Sequence, residues 1–332
     1  MTTFKVMTWN VENLFSPELE ATADKTQQFR NKLELLADVI HQLDPDVLAL
    51  QEIGGEEPLE ALREALDDAY QHSAISAFPD NRRIRVAFLS KHAMEEQTDI
   101  VDFPTGPALD IHTITATGDT KPVNRMHRGA LRIRITKDGL TVDMITAHLK
   151  SKLLSFPRPG GSSFVPRDEE ERAQVAGIAL MQRMAEAVTL RIRLNGLLKG
   201  NDRTPLLLLG DFNDVPEAQT SLILTGPPGS EIGTEAFERH DEGDDVRLFN
   251  LAPVIPQGRR CSRKDNGRKE LLDQIFASVE FFPVGADGHR RLPEVDSHIE
   301  FGRGLLSVGN DSGARAAEVA SDHAPVTATF ES

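Results

Sequence analysis

The sequence has few of the residues that mark a secreted, membrane-bound or cysteine-ligated protein. Its 332 residues include one cysteine, Cys261, which excludes an internal disulfide and a cysteine-rich zinc site. No apolar run approaches the length of a membrane span, and no signal-peptide pattern precedes the first predicted strand at Phe4. We therefore expect a cytoplasmic protein that inserts no segment into a membrane.

Aromatic residues and positive charge are also scarce. Trp9 and Tyr70 are the only residues of their types, so the chain offers few of the stacking platforms that single-strand nucleic-acid binders use. The formal net charge of −15 argues against a broad, non-specific nucleic-acid-binding face. Two locally basic stretches, 148–167 and 259–269, interrupt the acidic background. They suggest a focused site for an anion, and ordinary solvated loops are the alternative.

The rest of the composition is that of a globular α/β protein. Hydrophobic residues make up 39% of the chain and charged residues 27%. No linker or low-complexity segment divides the sequence, so we expect one domain over residues 1–332. No partner protein can be inferred from the sequence, and we expect a monomer. Helix-period and strand-period segments alternate in both halves, which favours mixed sheets over a purely parallel one.

The spacing of apolar residues predicts the individual elements. A stripe from Phe29 to Leu43 predicts a helix that ends at Asp44-Pro45. Further helices are predicted over about 58–70, 168–198 with a break at Gly196, and 217–224. The segment 92–127 is rich in Thr, Pro and Gly and is expected to hold only irregular or short strand structure, and the segment 285–317 shows no clear period and is expected to be loop-like. Strands are predicted at 4–10, 46–52, 85–89, 130–136, 140–148, 205–210, 271–277 and 326–330, with a hairpin turn at Lys137-Asp138-Gly139.

The strand at Leu206–Leu209 is the most informative of these. Four consecutive leucines between Pro205 and Gly210 predict a short strand that is buried on both faces. Asp211 and Asn213 follow it, and because side chains alternate along an extended chain they should project to the same side. This arrangement suits a water nucleophile or a metal-bound phosphate. The alternative is a turn that caps the next helix, and this stretch taken alone favours that alternative.

Six short motifs together outweigh that alternative. Each is weak alone, but each lies in or beside a predicted strand, and their order over residues 8–323 resembles that of the endonuclease/exonuclease/phosphatase superfamily. The most similar pattern is that of bacterial nuclease-type members. The resemblance implies a four-layer α/β sandwich, in which two mixed β-sheets pack face to face with helices outside, and an active site at one edge. The motifs are Thr8-Trp9-Asn10, Gln51-Glu52, Ala147 to Ser151, Gly210 to Asp214, Leu272 to Phe276 and Ser321-Asp322-His323.

The resemblance also implies a divalent-cation site. Glu52 would be the principal ligand, with Asn10 beside it and Asp322 nearby. Carboxylate and amide oxygens suit a hard cation, so Mg²⁺ is expected, with Mn²⁺ or Ca²⁺ as alternatives. Asp211 and Asn213 would position or activate the attacking water.

Two histidines and a carboxylate complete the implied catalytic set. His148 and His323 would flank the phosphate, since imidazole suits proton transfer and charge stabilisation near neutral pH. Asp273 would orient His323, as a buried carboxylate fixes a histidine tautomer in other hydrolases. Which histidine acts as base and which as acid stays open. The segment from Arg82 to Val86 supplies no carboxylate that would orient His148.

Four basic residues are candidates for contacts with substrate phosphate. Lys150 follows His148 in the third motif, and Arg128 resembles an arginine that family members have at the start of this strand. Arg263 and Lys264 lie in the second basic stretch. A plain surface arginine is the alternative for Arg128, and a solvated basic turn is the alternative for Arg263 and Lys264.

Three functions are compatible with these residues. The preferred interpretation is a metal-dependent nuclease or phosphodiesterase that acts on DNA or RNA by in-line attack of an activated water. A phosphatase or phospholipase-type enzyme acting on lipid or sugar phosphates is the first alternative. The apolar residues Leu153, Leu154, Phe156 and Phe164 could touch lipid, although no interfacial helix accompanies them. A non-catalytic binding module is the second alternative, and six intact motifs argue against it.

Overall fold

The computed structural model describes residues 3–18, 21–67, 69–106, 109–199, 204–301, 304–308 and 321–331. The helices in these ranges are α1 (Ala23–Leu43), α2 (Glu56–Ala65), α3 (Glu169–Leu198) and α4 (Gln219–Thr225). The strands in chain order are β1 (Thr3–Leu14), β2 (Val47–Ile53), β3 (His72–Ile75), β4 (Arg85–Ser90), β5 (Met94–Asp102), β6 (Ile111–Ile114), β7 (Thr120–Val123), β8 (Arg125–Lys137), β9 (Leu140–His148), β10 (Phe156–Arg158), β11 (Gly161–Ser163), β12 (Leu206–Asp211), β13 (Phe249–Asn250), β14 (Arg263–Asp265), β15 (Arg268–Glu270), β16 (Asp273–Ala277), β17 (Glu294–Ser297) and β18 (Val326–Glu331).

Two six-stranded sheets form the centre of the fold. The strand order is β17-β18-β1-β2-β4-β3 in the first sheet and β13-β16-β12-β9-β8-β5 in the second. β1 pairs in parallel with β2, and β12 pairs in parallel with β9, whereas their other neighbours are antiparallel. Both sheets are therefore mixed. The strands β6–β7, β10–β11 and β14–β15 form separate two-stranded hairpins.

The run of leucines in β12 shows how the layers are built. Leu207 and Leu209 pack in the apolar cluster between the two sheets, while Leu206 and Leu208 pack in the cluster between the second sheet and α3 and α4. Successive side chains of a strand point to opposite faces, so a strand that is covered on both faces needs apolar residues at every position. On the far side, α1 and α2 cover the outer face of the first sheet. The predicted four-layer α/β sandwich is confirmed.

The β8–β9 connection shows a predicted turn in detail. Lys137 pairs with Leu140, so Asp138 and Gly139 form a two-residue loop. Both have positive φ angles, 49° and 87°, which is the requirement of the turn that matches the twist of a hairpin. The first helix is also confirmed: Thr22 caps its first turn, and Asp44 ends it in a left-handed conformation.

Several predicted boundaries are wrong. α2 begins at Glu56 and ends at Ala65, well before Tyr70, and α3 is continuous through Gly196. The segment 92–127, predicted to hold at most short strands, contains the nine-residue strand β5, and the segment 285–317, predicted to be loop-like, contains the strand β17. Each lies at the edge of its sheet. Edge strands are only partly buried, so their apolar alternation is weak. In the described ranges, no helix is both long and apolar enough to cross a membrane.

Candidate active site

Strand register brings three of the predicted site residues into one row across the second sheet. Asp211 at the end of β12 lies directly opposite His148 of β9 and directly opposite Asp273 of β16. Residues that face each other on paired strands project to the same side of the sheet. All three are buried, with 3% of His148, 1% of Asp211 and none of Asp273 exposed. The row explains how residues 148, 211 and 273 meet.

The first sheet meets this row through Asn10. Its Nδ2 donates to Oδ2 of Asp211 at 3.0 Å, and its Oδ1 accepts from the backbone N–H of Glu12 at 3.0 Å. Asn10 pairs with Gln51 of the neighbouring strand β2, so Glu52 lies next to it at the same end of the sheet. The Oε2 atom of Glu52 accepts from the backbone N–H of Asn13 at 2.9 Å. Asn10 and Glu52, the two expected cation ligands, thus lie on adjacent strands, and Asn10 contacts Asp211.

Left-handed backbone concentrates around these side chains. Glu12, Asn13, Glu52 and Asn213 all have φ angles between 48° and 68°. Non-glycine residues rarely adopt this conformation, and such strain tends to collect at functional sites. Because Asn213 is left-handed, strand alternation does not continue past Asp211. Instead, Asp211 Oδ1 accepts from the Asn213 N–H at 2.8 Å, and Asn213 Nδ2 donates to the Leu149 carbonyl at 3.0 Å.

The turn after β12 does not cap the next helix. α4 begins at Gln219 with Ala218 as its N-cap, and Ala218 makes no side-chain capping bond. The capping alternative for Asp211 and Asn213 is therefore wrong. The turn itself is present, because Asp211 accepts from the Asn213 N–H.

The segment that contains His323 is held in place by β1. The Ser321 hydroxyl donates to the Asn10 carbonyl at 2.5 Å, and the Asp322 N–H donates to Glu12 Oε2 at 2.9 Å. The Trp9 indole N–H donates to the His323 carbonyl at 2.8 Å. Three successive residues are thus tied to one strand that lies more than 300 positions earlier in the chain.

His323 and Asp273 form a close pair. Nδ1 of His323 lies 2.6 Å from Oδ2 of Asp273, while its Nε2 lies 4.0 Å from Oδ2 of Asp211 and 3.9 Å from Oδ1 of Asp322. Burial lowers the pKa of His323, but the nearby carboxylates, Asp273 first, outweigh this and raise it to about 10. His323 is therefore an imidazolium at neutral pH, and its Nε2–H lies near the carboxylates of Asp211 and Asp322.

Near neutral pH, Asp211 is largely ionised and His148 is neutral. Burial, together with the charge of Asp273, raises the pKa of Asp211 to about 6 in spite of the His323 charge and the bond from Asn10. Burial and the positive charges of Arg128 and His323 hold the pKa of His148 well below its usual value. His148 Nε2 lies 3.3 Å from Asp211 Oδ2. Near neutral pH, a neutral imidazole therefore contacts a carboxylate that is largely ionised.

No carboxylate orients the other side of His148. Among the described residues, its buried Nδ1 has no hydrogen-bond partner. Asp80 lies just before the segment in which the sequence offered no candidate, but it accepts from Arg128 Nε at 3.0 Å and lies 3.8 Å from His127 Nε2. Asp80 was not among the predicted site residues, and only its place in the stretch from Phe78 to Arg83, next to the segment that supplies no carboxylate, distinguishes it in the sequence.

The predicted phosphate-binding residues lie in two places. Arg128 and Lys150 are close to each other, and Arg263 and Lys264 lie on β14. Arg128 is 6% exposed and paired with Asp80, so the surface-arginine alternative is wrong. Lys150 is partly buried beside Arg128, and burial lowers its pKa. Arg263 pairs with His323 in an isolated bridge, and its Nε lies 3.3 Å from Asp322 Oδ2. Lys264 lies opposite Lys269 across the β14–β15 hairpin, so its side chain projects from the other face of that hairpin.

The first basic stretch is largely neutralised by local ion pairs. Arg158 and Arg167 both contact Glu171, and Lys152 contacts Asp214 and Glu270. Another arginine lies beside the proposed cation ligands and was not predicted. Arg82 donates to Asn13 Oδ1 at 3.0 Å and lies 3.9 Å from Glu52 Oε2.

The donor set fits a hard divalent cation. The side chains of Glu52 and Asp322 are 14% and 13% exposed, so both carboxylates are reachable from solvent, and the Asn10 amide is bonded to Asp211. A second group, Asp211, Asp273 and His323, also has its ligand atoms within 4.8 Å of one another. There, however, His323 Nδ1 already contacts Asp273, so a hydrogen-bonded pair describes that group better than a ligand set.

Nearly the whole chain matches a known family. The profile of the Endonuclease/Exonuclease/phosphatase family matches residues 7–323. The chain belongs to this family. Its members are in general hydrolases that act on phosphodiesters or phosphate esters, and they usually depend on a divalent metal. No curated protein matches the chain in sequence.

Solved structures of family members share the fold at low identity. TDP2 from C. elegans is 16% identical with a TM-score of 0.54, over 99% of this chain and 75% of that one. A humanized D. rerio TDP2 is 16% identical with a TM-score of 0.56, over 99% of both chains. The human Nocturnin catalytic domain, solved with a bound sulfate anion, is 14% identical with a TM-score of 0.52, over 99% of this chain and 94% of that one.

Proposed function

We propose that this protein hydrolyses phosphodiester bonds of DNA or RNA with a divalent cation, Mg²⁺ in the first instance. The observation that supports this most directly is the surroundings of Asp211. One carboxylate oxygen, Oδ2, lies 3.0 Å from Asn10 Nδ2, 3.3 Å from His148 Nε2 and 4.0 Å from His323 Nε2. A buried acceptor that faces an imidazolium across a narrow space is suited to holding a water against a phosphorus atom.

Each side chain of this group has a separate task in the proposed reaction. Asp211 is ionised above a pH of about 6 and accepts a proton from the attacking water. His323 is protonated, so its Nε2–H stabilises charge on the phosphoryl oxygens or protonates the leaving oxygen. Asp273 holds the His323 ring and balances its charge. His148 is neutral and contributes hydrogen bonding without a net charge.

Glu52, Asn10 and Asp322 are the residues that would hold the cation. Their hard oxygen donors suit Mg²⁺, with Mn²⁺ or Ca²⁺ as alternatives. When bound there, the cation would neutralise the phosphoryl oxygens and lower the barrier to in-line attack. Arg263 lies within 3.3 Å of Asp322 Oδ2, and it could pair with the substrate phosphate at the same place.

The test is a substrate panel with and without Mg²⁺. It comprises plasmid DNA, single-stranded DNA, RNA, a small aromatic phosphodiester and the matching monoester, each assayed with wild type and with Asp211→Asn. We expect Mg²⁺-dependent cleavage of at least one polynucleotide, lost in Asp211→Asn. Cleavage of only the monoester, or activity that persists in Asp211→Asn, would contradict the proposal.

Exposed apolar side chains favour one second candidate. Leu153, Phe164 and Val165 are 56%, 65% and 71% exposed in the segment after His148. Such residues could touch a lipid substrate. Vesicles of phospholipid and of sphingolipid are therefore assayed in addition to the panel. Hydrolysis of these lipids without cleavage of polynucleotides would replace the nuclease with a phospholipase-type phosphodiesterase.

A further inference from the structure

Helix α3 directs two charged side chains inward, one turn apart. Arg183 is 5% exposed and Glu186 is 1% exposed, on a helix whose first half is mostly in solvent. Charged side chains are rarely buried to this extent unless their contacts offset the loss of hydration. The contacts of both residues are made with the segments that contain the site residues, so their position calls for a functional explanation.

Both side chains bind the backbone of Lys150. Glu186 Oε2 accepts from the Lys150 N–H at 2.6 Å, and Arg183 Nη1 donates to the Lys150 carbonyl at 2.9 Å. Their remaining groups bind two other segments. Glu186 Oε1 accepts from the His127 N–H at 2.7 Å, and Arg183 Nε lies 3.2 Å from Asp214 Oδ2. The pair therefore connects the start of β8, the end of β9 and the turn after β12.

These bonds lie where the pairing of the sheet stops. β9 ends at His148, and the Leu149 N–H still reaches the Asp211 carbonyl at 3.0 Å. The Leu149 carbonyl accepts from Asn213 Nδ2 at 3.0 Å. The next residue is Lys150, whose backbone N–H and carbonyl are both bound by side chains of α3. Without Glu186, the Lys150 N–H would lack its partner in a partly buried place, and the segment directly after His148 would be free to shift.

We propose that Arg183 and Glu186 are positioning residues, which hold the His148–Lys150 segment so that His148 stays against Asp211. Through Asp214, Arg183 also holds the turn that contains Asn213. This inference rests on the proposed function. Apolar side chains at 183 and 186 would pack the helix equally well, but they could not bind the N–H and the C=O of the same residue.

The test uses Glu186→Gln and Arg183→Lys, with Arg193→Ala as control because Arg193 is exposed on the same helix. Glutamine has one acceptor oxygen for two N–H groups, and lysine cannot span two partners as a guanidinium does. We expect kcat on the small phosphodiester to fall about tenfold to a hundredfold, as for a misplacement of about 1 Å, with KM changed less than about twofold. We also expect hydrogen exchange at the amides of Lys150 and His127 to quicken about tenfold or more in Glu186→Gln, while Arg193→Ala matches wild type.

The possible results separate the explanations. Faster exchange at Lys150 with unchanged kcat would make the pair merely structural and overturn the inference, as would unchanged exchange and unchanged kcat. If Glu186→Gln fails to fold, Arg183→Lys tests the support of the same residue through its carbonyl. If wild type cleaves nothing in the panel, the proposed function fails. In that case the exchange rates still show whether α3 holds this segment. A wild-type exchange rate at the Lys150 amide of Glu186→Gln would overturn the inference independently.

Discussion

His323 Nδ1 lies 2.6 Å from Asp273 Oδ2, although the two residues are 50 positions apart and belong to segments beside different sheets. The bond links the end of the first sheet to the row of site residues on the second. It also uses one ring nitrogen of His323, so the other nitrogen, Nε2, is the one that faces Asp211. The pair therefore fixes both the protonation and the direction of this histidine.

Asp273→Asn should lower kcat about a hundredfold or more while KM changes little. The amide keeps the volume but removes the charge that holds His323 as an imidazolium, and this charge acts in the transition state. Steady-state kinetics on the small phosphodiester measure the effect. Asp138→Asn, in the exposed hairpin turn, is the control. A parallel loss of thermal stability and activity would instead identify Asp273 as a structural acid.

Glu52→Gln should weaken the binding of Mg²⁺ or Mn²⁺ about tenfold or more and leave the fold intact, because one charge of the ligand set is removed. Calorimetric titration of the metal-free protein measures binding, and activity at limiting Mg²⁺ provides a second readout. Glu57→Gln is the matched control, since Glu57 is exposed on α2. Near wild-type affinity and activity in Glu52→Gln would contradict the assignment.

Arg263→Ala and Lys264→Ala should differ, although the sequence alone predicts the same effect for both. Arg263 contacts Asp322, so its loss should slow cleavage of small and long substrates alike. Lys264 lies on the other face of the hairpin, so its loss should weaken the binding of long polynucleotides only. The slope of log affinity against log salt concentration should fall by about one unit. Affinity measured as a function of salt concentration distinguishes the two. Equal effects of both variants would mean that the whole hairpin serves one role.

Gly210→Ala should destabilise the fold by about 1–3 kcal/mol or more and abolish activity. A Cβ atom at this position would lie 2.0 Å from the Ala147 carbonyl oxygen, directly before Asp211. The strands β9 and β12 would have to separate where the site residues meet. Gly196→Ala is the control, because a Cβ there meets open space within α3 and should stabilise the helix by up to about 1 kcal/mol. Urea unfolding compares the two; equal stability would contradict the close approach.

The contribution of His298 to stability should fall as the pH decreases from about 6.5 towards 4. Burial lowers the pKa of His298 to about 4, so over this range the unfolded chain binds a proton that the folded protein does not. A histidine with a lowered pKa contributes stability that is fully present when the pH is above the pKa of the unfolded chain. This stability is lost as the pH falls through the pKa of the folded protein. His298→Gln should therefore lose less stability than wild type between pH 7 and pH 5 in urea unfolding. His240→Gln, at an exposed histidine, should behave like wild type.

Local patterns in the sequence predicted the buried strands, whereas the four-layer fold and the roles of the site residues were implied by the resemblance of six motifs to a known family. Buried strands have apolar residues on both faces, as at Leu206–Leu209, and polar residues directly after such strands must lie at the edge of a sheet. That argument reaches Glu52, His148 and Asp211 without any knowledge of the partners. It misses β5 and β17, because partly exposed edge strands lack the period on which it depends.

Only the tertiary structure decided how these groups act. His148 and His323 look alike in the sequence, yet one is neutral and the other charged, because their pKa values depend on distances to Asp273 and Arg128 across the fold. The contacts of Glu186 are also invisible in the sequence, since they join a helix side chain to peptide groups 36 and 59 positions away. Local patterns determine which residues lie at the ends of buried strands. Long-range packing determines the charge, orientation and support of each one, because these depend on neighbours that chain order does not specify.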